Sequence, residues 1–144
     1  MIEEYVISKR YPSSLEIKII ETELLAFLNI RGKSFYIGSN GKLIEAEDMF
    51  KNLPYIFGDP NIEKFLSLKR IIDSSKLDYN DVKNLFFFPS GRWDIETSSD
   101  ILIKLPIENI EKSLELSLNL LDYKQSDNIK SIDARPQNQV IIYE

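Results

Sequence analysis

The chain has 144 residues, 43% hydrophobic and 28% charged, with a net charge of −5. That is enough apolar matter for a substantial core and too little basic charge for a nucleic-acid binder, which needs a positive stripe to neutralise phosphates. There is no cysteine and no histidine, which removes thiol nucleophiles, imidazole bases, Ser-His-Asp triads and nearly every zinc site. Any catalysis would rest on carboxylates, lysines, tyrosines or hydroxyls, and no metal or cofactor is implied.

No apolar run approaches the roughly 20 residues that span a bilayer. The richest, "NLFFFP" at 84–89, is strand-sized, and the amino terminus lacks the basic, apolar and small-residue order of a signal peptide. The sequence as written is expected to be soluble.

In chain order, "EEYVISKRYPSSLEIKIIE" reads as two short strands around the turn "YPSS", with Leu15, Ile17 and Ile19 in a period of two. "LLAFLNIRGKSFYIGSNGKLIEAED" continues in strands, and its Asn40-Gly41 is the strongest short hairpin signal, both residues being able to take positive φ. "LPYIFGDPNIEKFLSLKRIIDSSK" then changes period. Ile62, Phe65, Leu66, Ile71 and Ile72 share one helical face with Leu68 near its edge, and either Asp59 or Asn61 can cap the start.

The pattern returns to strand at "VKNLFFF", "RWDIET" and "ILIKL", with "SSD" as a tight turn between the last two. A second helix after Pro106 is expected to turn Ile107, Ile110, Leu114, Ser117, Leu118 and Leu121 inward, with Glu108, Glu111, Lys112 and Glu115 in water. Two strands, "IKSID" and "QVIIYE", close the chain. Strands, helix, strands, helix, strands is the order of an α+β fold, with both helices on one face of a mostly antiparallel or mixed sheet.

Few side-chain patterns point to chemistry. Asp94 and Glu96 fall on one face of a strand, about 7 Å apart by strand rise, within the range of a glycosidase acid and base pair. The lone tryptophan, Trp93, faces the other way and so could not line the same pocket. The plainer expectation is a half-buried strand with Trp93 and Ile95 inward and both carboxylates in water. "GSNGK" has the wrong spacing for a phosphate loop, and no helix follows it. Phe86, Phe87 and Phe88 are expected in core, on a strand buried on both faces. Arg92 and Arg135 each accompany an aspartate, Asp94 and Asp133, as surface ion pairs or as partner-facing arginines. The final strand carries a charge only at Glu144, so its outer edge is either covered by another segment or is a rail for strand addition.

Taken in order, these motifs resemble the FtsQ/DivIB bacterial cell-division family, most of all its alphaproteobacterial members. "RYPSSLEIKIIE" is similar to the Arg-(aromatic)-Pro…Leu-x-(apolar)-x-(apolar)-x-Glu segment that closes the family's POTRA domain. "FYIGSNGKLI", "LPYIFGD" and "GRWDIETSSDILIKLP" resemble the strand–turn–strand, Leu-Pro-x-(apolar)-x-Gly and paired-strand segments that follow. "SIDARPQNQVIIYE" resembles the terminal (apolar)-Asp-(apolar)-Arg signature and last strand, with proline after the arginine where some relatives have tyrosine.

The resemblance implies residues 1–24 as the end of an incomplete POTRA domain and 25–144 as an FtsQ-type β domain. It also implies a non-enzymatic divisome scaffold, located in the periplasm at the septum and anchored in the inner membrane by one helix that this chain lacks. The implied partners are FtsB and, with it, FtsL, bound by strand addition at Arg135, Asn138, Gln139, Val140, Ile142 and Tyr143. Two alternatives stand beside it: a small carboxylate-based glycan hydrolase built on Asp94 and Glu96, and a generic POTRA-like secretion adaptor.

Overall fold

The structure, a computed structural model, describes the backbone of residues 2–10, 14–21 and 124. It describes backbone and side chains together for 23–46, 52–123, 128–136 and 139–144. Strands β1 (Ile2–Arg10) and β2 (Ser14–Glu21) form a two-stranded antiparallel sheet. The "YPSS" turn expected between them falls largely outside the described residues.

The remaining nine described strands make one mixed sheet. They are β3 (Leu24–Ile30), β4 (Lys33–Gly38), β5 (Leu43–Glu45), β6 (Tyr55–Phe57), β7 (Val82–Phe87), β8 (Trp93–Thr97), β9 (Leu102–Lys104), β10 (Ser131–Asp133) and β11 (Ile141–Tyr143). Their order is β11-β10-β9-β8-β7-β6-β3-β4-β5. Each helix lies in the connection between two parallel strands: α1 (Ile62–Asp73) between β6 and β7, and α2 (Ile110–Lys124) between β9 and β10. Parallel neighbours need such a crossover, and it places helices against the sheet.

Register explains which side chains the helices cover. Ile56, Leu85, Ile95, Ile103 and Ile132 lie side by side across β6 to β10, and none is more than 1% exposed. On this row pack Phe65, Leu68 and Ile72 of α1 and Leu114 and Leu118 of α2. Leu68 is therefore central to the buried stripe, where periodicity placed it near the edge. Asn61 caps α1, its Oδ1 accepting the Lys64 N–H at 2.8 Å, which resolves the choice left open with Asp59.

Ile107 departs from expectation. It precedes α2 and is 56% exposed, because Asn109 takes a positive φ of 57° and the chain turns before the helix begins. The Asn40-Gly41 turn forms as expected, with Gly41 N–H donating to Gly38 O, but only Gly41 adopts positive φ. The two-residue turn with positive φ at both positions is Arg31-Gly32, between β3 and β4, where Asn29 Oδ1 accepts the Gly32 N–H. Gly58 (φ 105°) is obligatory for a second reason: a Cβ there would sit 2.3 Å from the Phe87 carbonyl.

The opposite face of the sheet carries no helix among the described residues and is uneven. Over β3 to β6 it carries a small second core of Leu24, Phe27 and Tyr36, with Ile44, Ala46, Leu53 and Tyr55 against it. Next come Phe57, 45% exposed, and Phe86, stacked at 4.9 Å between centroids. The phenylalanine triplet is accordingly not double-faced core. Phe86, Phe87 and Phe88 are all half-buried: Phe87 packs against the core under the helices, while Phe86 points to the other face and stacks on Phe57.

Candidate functional site: the charged belt and the free sheet edge

Beyond the aromatic rings, one cross-strand row runs Phe86, Asp94, Lys104, Asp133, Ile141 over β7 to β11. Asp94 is 4% exposed, which overturns the expectation that it sits in water. It is flanked in register by Phe86 on β7 and Lys104 on β9 and is paired with Arg92, whereas a strand considered alone shows only which face a residue is on. Arg92 donates from Nη1 to Asp94 Oδ1, and the guanidinium lies 4.2 Å above the Phe88 ring. Burial pushes the Asp94 carboxyl above the usual carboxylate range. The cations Arg92, Lys104 and Arg135 oppose that rise without cancelling it.

Glu96, two residues on, is half-buried and accepts a 2.7 Å hydrogen bond from Asn84 Nδ2. Each of the two carboxylates thus has a structural partner, and neither lines any of the four described cavities. Glycoside hydrolysis needs two carboxylates lining one concave, water-accessible pocket, and none of these four cavities holds the pair.

At the other end of the belt, Asp133 is 6% exposed and holds Arg135 in a three-point grip. Its Oδ1 accepts the Arg135 backbone N–H at 3.0 Å and Nε at 2.8 Å, and its Oδ2 accepts Nη2 at 2.6 Å. These bonds hold the Asp133 carboxyl below the usual range despite its burial and raise the Arg135 guanidinium. Lys104, between the two aspartates in register, favours the charged form of both.

The edge strand β11 pairs antiparallel with β10 through Ser131↔Tyr143, Ile132↔Ile142 and Asp133↔Ile141, and among the described residues with no other strand. Ile141 and Tyr143 are 38% and 49% exposed on the open face. Ile142 continues the isoleucine row on the helix-covered face and is half-buried. Val140 and Gln139 precede the strand proper, and Asn138 lies outside the described residues. Beside the edge, a groove of about 440 Å³ separates the start of α2 from the exit of β10, with Pro106, Lys112, Leu116, Arg135 and Gln139 among its walls. The structure therefore brings Arg135, Gln139 and the β11 residues to one rim of the sheet. The groove was missed in the sequence because its α2 wall is contributed by residues some 20 positions earlier.

This arrangement defines a class of protein: an α+β module with helices on one sheet face and, at one end, a sheet edge lacking the proline or lysine that normally blocks pairing. Comparison with known proteins gives the family. The cell division protein FtsQ/DivIB C-terminal domain matches residues 26–135. Cell division protein FtsQ of Rickettsia bellii is 28% identical over 98% of this chain and 54% of its own length, and that of Rickettsia prowazekii is 28% identical at the same coverage. FtsQ of Rhizobium radiobacter is 24% identical, with 98% and 69% covered. The chain spans about half the length of the rickettsial relatives it matches.

The solved extracytoplasmic domain of the trans isomer of the cell division protein DivIB from Geobacillus stearothermophilus superposes with a TM-score of 0.51 at 13% identity. It covers 71% of this chain and 92% of that one, a likeness of fold. The chain belongs to the FtsQ/DivIB cell-division family, as its motif order suggested.

Proposed function

We propose that this chain is the periplasmic part of a non-catalytic divisome scaffold. Residues 1–24 would end a POTRA domain and residues 25–144 form the β domain, with a single helix elsewhere in the full-length protein anchoring it in the inner membrane at the septum. Its task is to bind FtsB, and FtsL with it, and so to link early and late division proteins. The binding mode is strand addition on β11, whose backbone supplies the hydrogen-bond ladder, while Val140, Ile142 and Tyr143 present alternating side chains and Arg135 and Gln139 flank the entry, with Asn138 beside Gln139 in sequence.

The observation that carries this reading is the free edge itself. β11 pairs only with β10 among the described residues, carries no charge before Glu144, and continues the buried isoleucine row with half-buried Ile142. A strand laid beside it would extend both the ladder and that row.

The test is an NMR titration of this chain with the periplasmic carboxy-terminal segment of the FtsB from the same organism. Amides from 139 to 144 are expected to shift and to gain protection from exchange. A folded chain whose edge amides stay unmoved at saturating peptide would refute strand addition.

A further inference from the structure

By sequence alone Arg135 is either paired with the aspartate two positions before it or a cation free to meet an acidic partner. In the structure its fork is already occupied: three hydrogen bonds, from the backbone N–H, Nε and Nη2, converge on the carboxylate of Asp133, which is itself nearly buried. The bond from the backbone N–H closes a turn on the residue two positions earlier, at the point where the chain leaves β10. The residue between them, Ala134, is 1% exposed and donates its N–H to Lys104 O at 2.9 Å. Further along, Gln139 N–H reaches back to Pro136 O at 3.3 Å. The exit of β10 is thus tied to β9 by backbone and to Asp133 by side chain, with Arg135 six positions before Ile141 opens the edge strand.

β11 needs such a tie. It is only three residues long and, among the described residues, is paired on one side, so its own ladder supplies few hydrogen bonds to fix its position. A bidentate Arg–carboxylate fork has one geometry, and here it is bonded to a carboxylate fixed in the sheet.

We infer that Asp133 is a positioning residue: by holding Arg135 within its own chain it fixes the β10 exit and presets β11 for an incoming strand. Arg135 then acts chiefly through Asp133 and the edge rather than as a direct contact to an acidic group on the partner. This inference rests on the strand-addition reading for its binding consequence and on the free protein for its structural one.

Two variants separate the possibilities. Asp133→Asn keeps the shape and weakens the fork from one side; Arg135→Gln removes it from the exposed side, where folding is least at risk. Amide exchange in the free 144-residue chain is the first readout. Both variants should speed exchange at Arg135 and at Lys130, whose N–H donates to Tyr143 O, by about tenfold or more, with core amides such as Ile95 unchanged.

The second readout is affinity for the FtsB peptide. Both variants should weaken it by about tenfold, and the double variant by no more than either single, as expected of two residues acting as one unit. If Asp133→Asn leaves or raises affinity while Arg135→Gln lowers it, Arg135 is a partner contact that Asp133 merely competes for, and the inference is overturned. Unchanged exchange in both variants overturns it too. If the wild-type chain ignores the peptide, strand addition to this partner fails, and exchange in the free protein alone decides the positioning role.

Discussion

Arg92 with Asp94 and Arg135 with Asp133 are the same two residue types at the same spacing, on the same face of one sheet, yet they behave in opposite ways. On the central strand β8, neighbours on both sides remove water from Asp94, and its single bond from Arg92 does not offset that loss, so its carboxyl is pushed up. On β10, near the rim, Asp133 receives three donors from a half-exposed arginine, and its carboxyl is pulled down. An ion pair costs or contributes according to the number of donors its acid receives and the water it loses, not according to its sequence pattern. The two pairs divide the belt into a part that specifies the fold and a part that sets the edge.

The largest break in this contrast should come from Arg92→Ala. Removing the cation strands a buried carboxylate and is expected to cost about 3 kcal/mol, read from urea denaturation at neutral pH. Replacing the whole pair, Arg92→Met with Asp94→Leu, should recover most of that loss, since no buried charge remains. If the double variant is as unstable as the single one, desolvation is not what governs this pair. Arg135→Ala also takes side-chain donors from the nearly buried Asp133, so it should lower the urea midpoint as well. The loss should be smaller than for Arg92→Ala because Arg135 stands half-exposed at the rim, and a further effect should show at the edge.

A subtler separation comes from pH. The raised Asp94 carboxyl means that the folded state holds more protons than the unfolded state between the ordinary aspartate range and the folded pKa. Its contribution to stability therefore falls as pH rises through that window. For the lowered Asp133 carboxyl the stabilising contribution is complete above the ordinary range and is lost as pH falls through the folded pKa. Urea midpoints measured across the acidic range should show Asp94→Asn losing the first dependence and Asp133→Asn losing the second. Two variants with the same slope as wild type would mean that neither group is perturbed as described.

The smallest expected effect lies at the aromatic end of the open face. Phe57 stacks on Phe86 while 45% exposed, so Phe57→Ala should cost about 1 kcal/mol, well below the roughly 4 kcal/mol expected for Phe65→Ala in the core under α1. Near-equal losses in thermal or urea melts would show that the open face carries as much of the fold as the covered one.

Much of this was written in local pattern. The period-two alternation of "RWDIET" placed Ile95 and Trp93 inward, and the helical spacing of Phe65, Leu114 and Leu118 marked two faces that meet on the same row of isoleucines. The order of turns and strands was enough to identify the family. Alternation assigns a side chain to a face because successive residues on a strand must point opposite ways, and this needs no knowledge of neighbours.

What that face meets is decided only when distant strands come together. The sequence could not separate Asp94 from Glu96, because their difference is made by β7 and β9, which bury one and leave the other half-open. It could not tell that Ile107 turns outward ahead of α2, or that Arg135 is already engaged by Asp133 where the chain leaves the sheet. Nor could it determine that "IIY" is one of the two outermost strands of the sheet among the described residues, since strand order is a property of the assembled ladder. Local sequence sets the conformations available to each segment; burial and edge position depend on which segments lie beside it, and only tertiary packing supplies those.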